Sequence, residues 1–190
     1  MQKRVFIVHG WDGTPDEPMH KWLKEKLEEN GFEVTVPEMP NTSEPKIEEW
    51  VNHLGKIVDR IDNNTYFIGH SIGCQTIMRF LEKQDVQIGG AVFIAGWLKL
   101  DNLEGEEVEK IAKPWLTTPI NFDKIKKVIN KLTVIISDND YYNEVKYNSE
   151  TFKKKLGAKI IIKKNMGHFT EEDGVNKLPE ALKEISELAK

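Results

Sequence analysis

The sequence predicts an α/β fold: about six mostly parallel strands with helices on both faces. Three observations carry this. Short β-type runs alternate with longer amphipathic stretches through the whole length, the pattern of a strand-helix-strand sheet. Several of the β-type runs, such as Val5-Phe6-Ile7-Val8 and Val134-Ile135-Ile136, are apolar without alternation, which suits strands covered on both faces. The chain has 190 residues, 39% of them hydrophobic, so one domain would bury roughly 70% of the surface of its unfolded chain.

In chain order the strand-like runs are Arg4–His9, Phe32–Val36, Thr65–Ile68, Gly90–Ala95, Leu132–Ser137 and Lys159–Ile162. Between them, Asp16–Asn30 sets Trp22, Leu23 and Leu27 on one side and ends at Gly31, a natural C-cap. Pro45–Asp59 places Ile47, Trp50, Val51, Leu54 and Val58 close to a 3.6-residue period. Ser71–Lys83, Glu144–Leu156 and Lys177–Ala189 complete the helical set. The stretch Trp97–Pro119, with Gly105, Pro114, Pro119 and the acidic run Glu104–Glu109, is the least regular. It reads as a short lid-like excursion (97–119) within a single domain spanning 1–190.

Composition narrows the function classes. The net charge is −4 and the basic runs Lys124–Lys127 and Lys153–Lys155 read as solvated helix faces, so no nucleic-acid partner is expected. The apolar stretch around Ala91–Leu98 is far short of the ~20 residues of a membrane span. Met1-Gln2-Lys3-Arg4 runs straight into a strand without a signal region, which points to the cytoplasm. One cysteine, Cys74, excludes an internal disulfide framework, and no Cys/His cluster has structural-zinc spacing, so neither metal nor cofactor is expected.

The segment Thr65-Tyr66-Phe67-Ile68-Gly69-His70-Ser71-Ile72-Gly73-Cys74 reads strand, G-x-S-x-G, helix. A nucleophilic serine held on a sharp strand-to-helix turn needs small residues two before and two after it, and the turn sets its hydroxyl at the positive end of the next helix. Ser71 is therefore the expected nucleophile of an α/β-hydrolase fold. Its base and orienting acid should follow in that order of turns, acid then histidine. His168, in Asn165-Met166-Gly167-His168-Phe169, is the one histidine of the C-terminal half. The acid lies in Ser137-Asp138-Asn139-Asp140-Tyr141-Tyr142. Asp140 has more room to reach His168, whereas Asp138 suits a turn cap; both remain candidates at this point.

A tetrahedral intermediate needs backbone N–H donors. Ile72, directly after the serine, should supply one, and Trp11 in the loop Val8-His9-Gly10-Trp11-Asp12-Gly13 the other. That loop has neither G-x-G-x-x-G nor a P-loop pattern, so nucleotide binding is a weak alternative. Trp97, Trp115, Tyr141 and Phe169 fall in segments expected at the same end of the sheet and are candidate substrate-pocket residues.

With these motifs in view, the chain resembles the small serine-hydrolase family of retinoblastoma-binding protein 9 and its bacterial relatives. The resemblance rests on Val8-His9-Gly10-Trp11, Gly69-His70-Ser71-Ile72-Gly73, Lys113-Pro114-Trp115, Ser137-Asp138-Asn139-Asp140 and Gly167-His168-Phe169, and it covers essentially the whole length. It implies a trimmed, compact α/β-hydrolase fold and a Ser71, Asp140, His168 triad, because the family's acid matches the second aspartate of the turn. It implies hydrolysis of small activated esters, with peptidase activity in some relatives. Tyr141 stands where the family has a small residue. The only cysteine lies in Ile72-Gly73-Cys74-Gln75-Thr76, so the chain carries no motif for retinoblastoma-protein binding.

The expected function is thus a metal-independent serine hydrolase cleaving small carboxylic esters, or amides or thioesters, through an acyl-enzyme on Ser71. Its substrate would be a small-molecule ester or a short peptide-like molecule. The alternative is a hydrolase-fold binding protein with little or no turnover.

Overall fold

A computed structural model describes residues 2–190. Six strands form one wholly parallel sheet, and seven helices accompany them among the described residues. The strands are β1 (Arg4–Val8), β2 (Glu33–Thr35), β3 (Thr65–His70), β4 (Gly90–Ile94), β5 (Leu132–Ser137) and β6 (Lys159–Lys163). The helices are α1 (Pro18–Glu29), α2 (Ile47–Ile57), α3 (Ile72–Leu81), α4 (Glu106–Thr117), α5 (Phe122–Val128), α6 (Val145–Leu156) and α7 (Pro179–Leu188). Among the described residues no helix is long and apolar enough to cross a membrane.

Alternation along each buried strand divides the core into two layers. Phe6 and Val8 of β1, Phe67 of β3, Phe93 of β4 and Val134 and Ile136 of β5 pack with Trp50 and Leu54 of α2, Ile77 and Leu81 of α3 and Phe152 of α6. Val5 and Ile7, Ile68, Val92 and Ile94, and Ile135 face the other way, onto Met19, Leu23 and Leu27 of α1 and Ala181 and Ile185 of α7. Both faces of the central strands are thus apolar, which is why those runs read without alternation.

The strand order is β2-β1-β3-β4-β5-β6. The chain runs outward from β1 to β2, then returns to lay β3 on the other side of β1. That reversal opens a crevice at the carboxyl ends of β1 and β3, where open parallel sheets bind ligands. The residue following β3 is Ser71.

The stretch 97–119 differs from the irregular excursion expected. Its second half is α4, tied to the body: the Arg79 guanidinium of α3 donates to the carbonyls of Trp115 and Thr118 at 2.9 and 3.0 Å. Its first half is pinned by two asparagines. Asn148 Oδ1 accepts from the N–H groups of Leu98 and Lys99, and Asn143 Nδ2 donates to the Gly96 carbonyl. The charged residues Glu106, Glu107, Glu109 and Lys110 hide the helix from a periodicity reading because only Ala112 and Trp115 of α4 are buried.

Candidate active site

Ser71 links β3 to α3 with φ +53° and ψ −120°, a backbone state that costs a non-glycine residue about 1–3 kcal/mol. The surrounding glycines make the turn possible. A Cβ on Gly73 would sit 2.2 Å from the Val8 carbonyl oxygen, and one on Gly69 would sit 2.8 Å from the Cys74 nitrogen. Strand β1 therefore lies directly against the start of α3. Gly10, in the loop after β1, approaches from the other side, its virtual Cβ 3.6 Å from Ser71 Cβ.

Three side chains join in one hydrogen-bonded line. His168 Nε2 lies 2.8 Å from Ser71 Oγ, and His168 Nδ1 lies 2.9 and 3.0 Å from the two carboxylate oxygens of Asp140. An ionised carboxylate only accepts, so Nδ1 carries the ring proton and Nε2 presents its lone pair to the serine hydroxyl. Asp140 is itself oriented: its Oδ1 accepts from the backbone N–H groups of Tyr142 and Asn143 at 3.1 and 3.2 Å. The other candidate acid, Asp138, is exposed and accepts from the Asn165 N–H at 2.9 Å, as a turn cap.

Two further residues, not singled out in the sequence, hold the histidine loop in place. Asn139 Oδ1 accepts from Ser137 Oγ and from the Gly167 N–H, joining the loop after β5 to the loop after β6. Asp173 Oδ2 accepts from the His168 N–H at 2.8 Å and from both the N–H and hydroxyl of Thr170. The Thr-x-x-Asp spacing at 170–173 is a local turn signal that could have pointed to Asp173.

Among the described residues the backbone N–H groups of Trp11 and Ile72 make no hydrogen bond. The Trp11 indole N–H donates to the Ser43 carbonyl at 3.0 Å, which fixes the loop after β1. The aromatic residues expected around a pocket separate into two kinds. The Trp97 indole N–H points at Ser71 Oγ, 3.3 Å away. Tyr141 is 42% exposed, its ring centroid 6.1 Å from that of His168, and Tyr142 stands edge-on to the same imidazole. Trp115 and Phe169 do not line a pocket: each is 1% exposed. Trp115 donates to the Pro45 carbonyl and packs on Trp50, and Phe169 lies in the apolar layer with α1 and α7. Their size and apolarity suit the core as well as a pocket, which is why sequence position misplaces them. A concavity of about 690 Å³ lies away from Ser71, between Glu82–Lys83 and Pro119–Lys124.

Three histidines gather under this line. His9 Nε2 accepts from the Met39 N–H, so its Nδ1 carries the proton and donates to the Gly10 carbonyl. His70 Nε2 donates to the His168 carbonyl at 2.8 Å. His20, at the start of α1, lies next to His70, with ring centroids 5.8 Å apart. Burial keeps all three neutral: it lowers His9, lowers His20 to about 4, and pushes His70 well below the usual imidazole range. Glu17 shares the pocket and burial raises its carboxyl. The Cys74 thiol is fully buried and burial pushes it far above the ordinary thiol range, so it is inert as a nucleophile.

Known proteins match this architecture. YdeN of Bacillus subtilis (strain 168), whose name describes it as a hydrolase, is 29% identical over 182 residues, which is 94% of this chain and 92% of YdeN. The crystal structure of that gene product superposes with a TM-score of 0.89 at 25% identity, over 98% of each chain. Est1E of Butyrivibrio proteoclasticus shares the fold at a TM-score of 0.74 and 16% identity, covering 98% of this chain and 88% of Est1E. The neighbours are α/β hydrolases, and the family model described as serine hydrolase matches residues 5–187. With a G-x-S-x-G turn at the sheet's switch point and that match over nearly its full length, the chain belongs to the serine hydrolase family.

Proposed function

We propose that the protein hydrolyses small carboxylic esters, with amides or thioesters as related substrates, through an acyl-enzyme on Ser71. The observation that carries the reading is the unbroken line Ser71 Oγ–His168–Asp140 beneath a strained serine. Ser71 Oγ attacks the carbonyl carbon while its proton passes to His168 Nε2, and the carbonyl π electrons move onto oxygen. The Asp140 carboxylate holds the imidazole tautomer and stabilises the imidazolium. The N–H groups of Ile72, at the positive end of α3, and of Trp11 stabilise the oxyanion. Collapse of the intermediate expels the leaving-group oxygen, which takes the proton from His168. Water then repeats the sequence, giving the acid and free Ser71.

Tyr141 and Tyr142 stand exposed beside His168 and form an aromatic mouth, which favours small or chain-end substrates over long buried acyl chains. Est1E has been seen with ferulic acid bound, so a hydroxycinnamoyl ester belongs in the substrate panel beside short-chain esters and aminoacyl derivatives. The narrower kinship with the retinoblastoma-binding-protein-9 group is part of this proposal and rests on the motifs quoted above. The test is labelling by a fluorophosphonate probe. Wild type is expected to label and to hydrolyse at least one short ester, and Ser71→Ala to lose both. Equal labelling of the two proteins, or no turnover by folded wild type across the panel, overturns the proposal.

A further inference from the structure

On the α1 side of the sheet, directly behind the elbow, three side chains converge that the Ser71 line does not use. Glu17 immediately precedes α1, His20 follows one turn later, and His70 ends β3. One carboxylate oxygen of Glu17 and one ring nitrogen of each histidine all lie within 4.8 Å of one another. Glu17 Oε2 and His20 Nδ1 are 3.4 Å apart. The histidines are 0% and 4% exposed, yet both ring nitrogens of His20 and Nδ1 of His70 have no hydrogen-bond partner among the described residues. Folded interiors leave few such atoms unpaired, and three of them meet here.

The tautomer of His70 sharpens the point. The His168 carbonyl can only accept, so His70 Nε2 carries the proton and Nδ1 is left with a bare, unpartnered lone pair. Metal-bound histidines are held in this manner, with the second ring N–H donated to a backbone carbonyl. We propose that Glu17, His20 and His70 form a zinc site behind the elbow, with a fourth position left to water. Two imidazoles and one carboxylate suit a borderline-soft divalent ion bound at about 2.0–2.2 Å, whereas Mg²⁺ and Ca²⁺ take oxygen ligands. Tetrahedral coordination at that range sets neighbouring ligand atoms about 3.4 Å apart, the spacing Glu17 and His20 already have. This departs from the expectation of no metal, which rested on the absence of a Cys/His cluster: two of these ligands lie three residues apart and the third fifty residues on.

The ion would not take part in the ester chemistry, which lies on the other side of His70. Its effect is mechanical and electrostatic: bound at Nδ1, it makes His70 Nε2–H a stronger donor and ties α1 through β3 to the backbone of His168.

Binding can be measured without reference to catalysis. Metal-stripped protein titrated with zinc chloride in a calorimeter is expected to take one equivalent per chain and to melt several degrees higher with zinc than with chelator. X-ray absorption is expected to show only nitrogen and oxygen neighbours. Glu17→Gln and His20→Gln, each checked for folding by circular dichroism, are expected to weaken binding at least tenfold. His168→Gln, which removes the imidazole of the Ser71 line but keeps the backbone carbonyl that His70 uses, is expected to bind as wild type does. No saturable binding by wild type, binding unchanged in both ligand variants, or binding abolished by His168→Gln overturns the proposal.

Discussion

Ser71 holds its hydroxyl in place at a backbone cost of about 1–3 kcal/mol, and three close packings prevent that strain from relaxing: Gly69 on Cys74, Gly73 on Val8, and Gly10 on Ser71 itself. The acid residues differ just as sharply. Asp140 is buried against His168, whereas Asp138 is exposed and caps the loop at Asn165. Asp140→Asn is expected to lower kcat for a short ester by about 10³–10⁴-fold, because the amide no longer fixes the Nδ1–H tautomer. Asp138→Asn is expected to keep most of the activity, since an amide oxygen still accepts from Asn165. Steady-state rates of both variants on one substrate decide between the two acids. Ser71 and His168 were legible because glycine spacing and chain order leave few alternatives. The choice of aspartate was harder, because a three-residue turn aims neighbouring side chains in directions that composition does not encode. Trp97 was expected to line a substrate pocket, and its contact with Ser71 Oγ was not legible, since that contact depends on how Gln75 Nε2 and Asn148 hold the chain after β4.

At the scale of elements, the six strands follow from apolar runs, while α4 escaped because most of it packs on nothing. Its register is set by Arg79 and Pro45, partners distant in sequence. The junction of α1 with β3 was equally hidden: His20 and His70 meet only when the helix lies on the sheet. That junction makes stability depend on pH. In metal-free protein His20 titrates near 4 when folded and near 6.5 when unfolded. Between those values the unfolded chain binds more protons, so stability is full above pH 6.5 and falls as pH drops toward 4. The loss from His20 is on the order of 3 kcal/mol at most. His9 and His70, also lowered, act in the same sense, and Glu17, raised by burial, offsets part of it. Urea midpoints measured in chelator between pH 7 and pH 5 are expected to fall for wild type, and to fall less for His20→Gln.

For the whole molecule, the sheet ends unequally. One edge is the three-residue β2, too short to template another chain. The other is β6, Lys159-Ile160-Ile161-Ile162-Lys163, which pairs only with β5 and leaves Ile162 half exposed. Its two lysines reach across to α7, Lys159 to Glu184 at 2.7 Å and Lys163 to Glu180. A run of three isoleucines on an open edge is an invitation to intermolecular strand pairing, and the lysines that bracket it act as gatekeepers of colloidal behaviour. Lys163→Gln takes the net charge from −4 to −5, which by bulk repulsion alone should make the protein more soluble. If the edge governs, light scattering on mild warming rises instead, with a stability change of only about 0–1 kcal/mol, and Ile162→Lys suppresses it. The strand that delivers His168 to the carboxyl end of the sheet would then also set how concentrated the protein can become before its molecules begin to adhere.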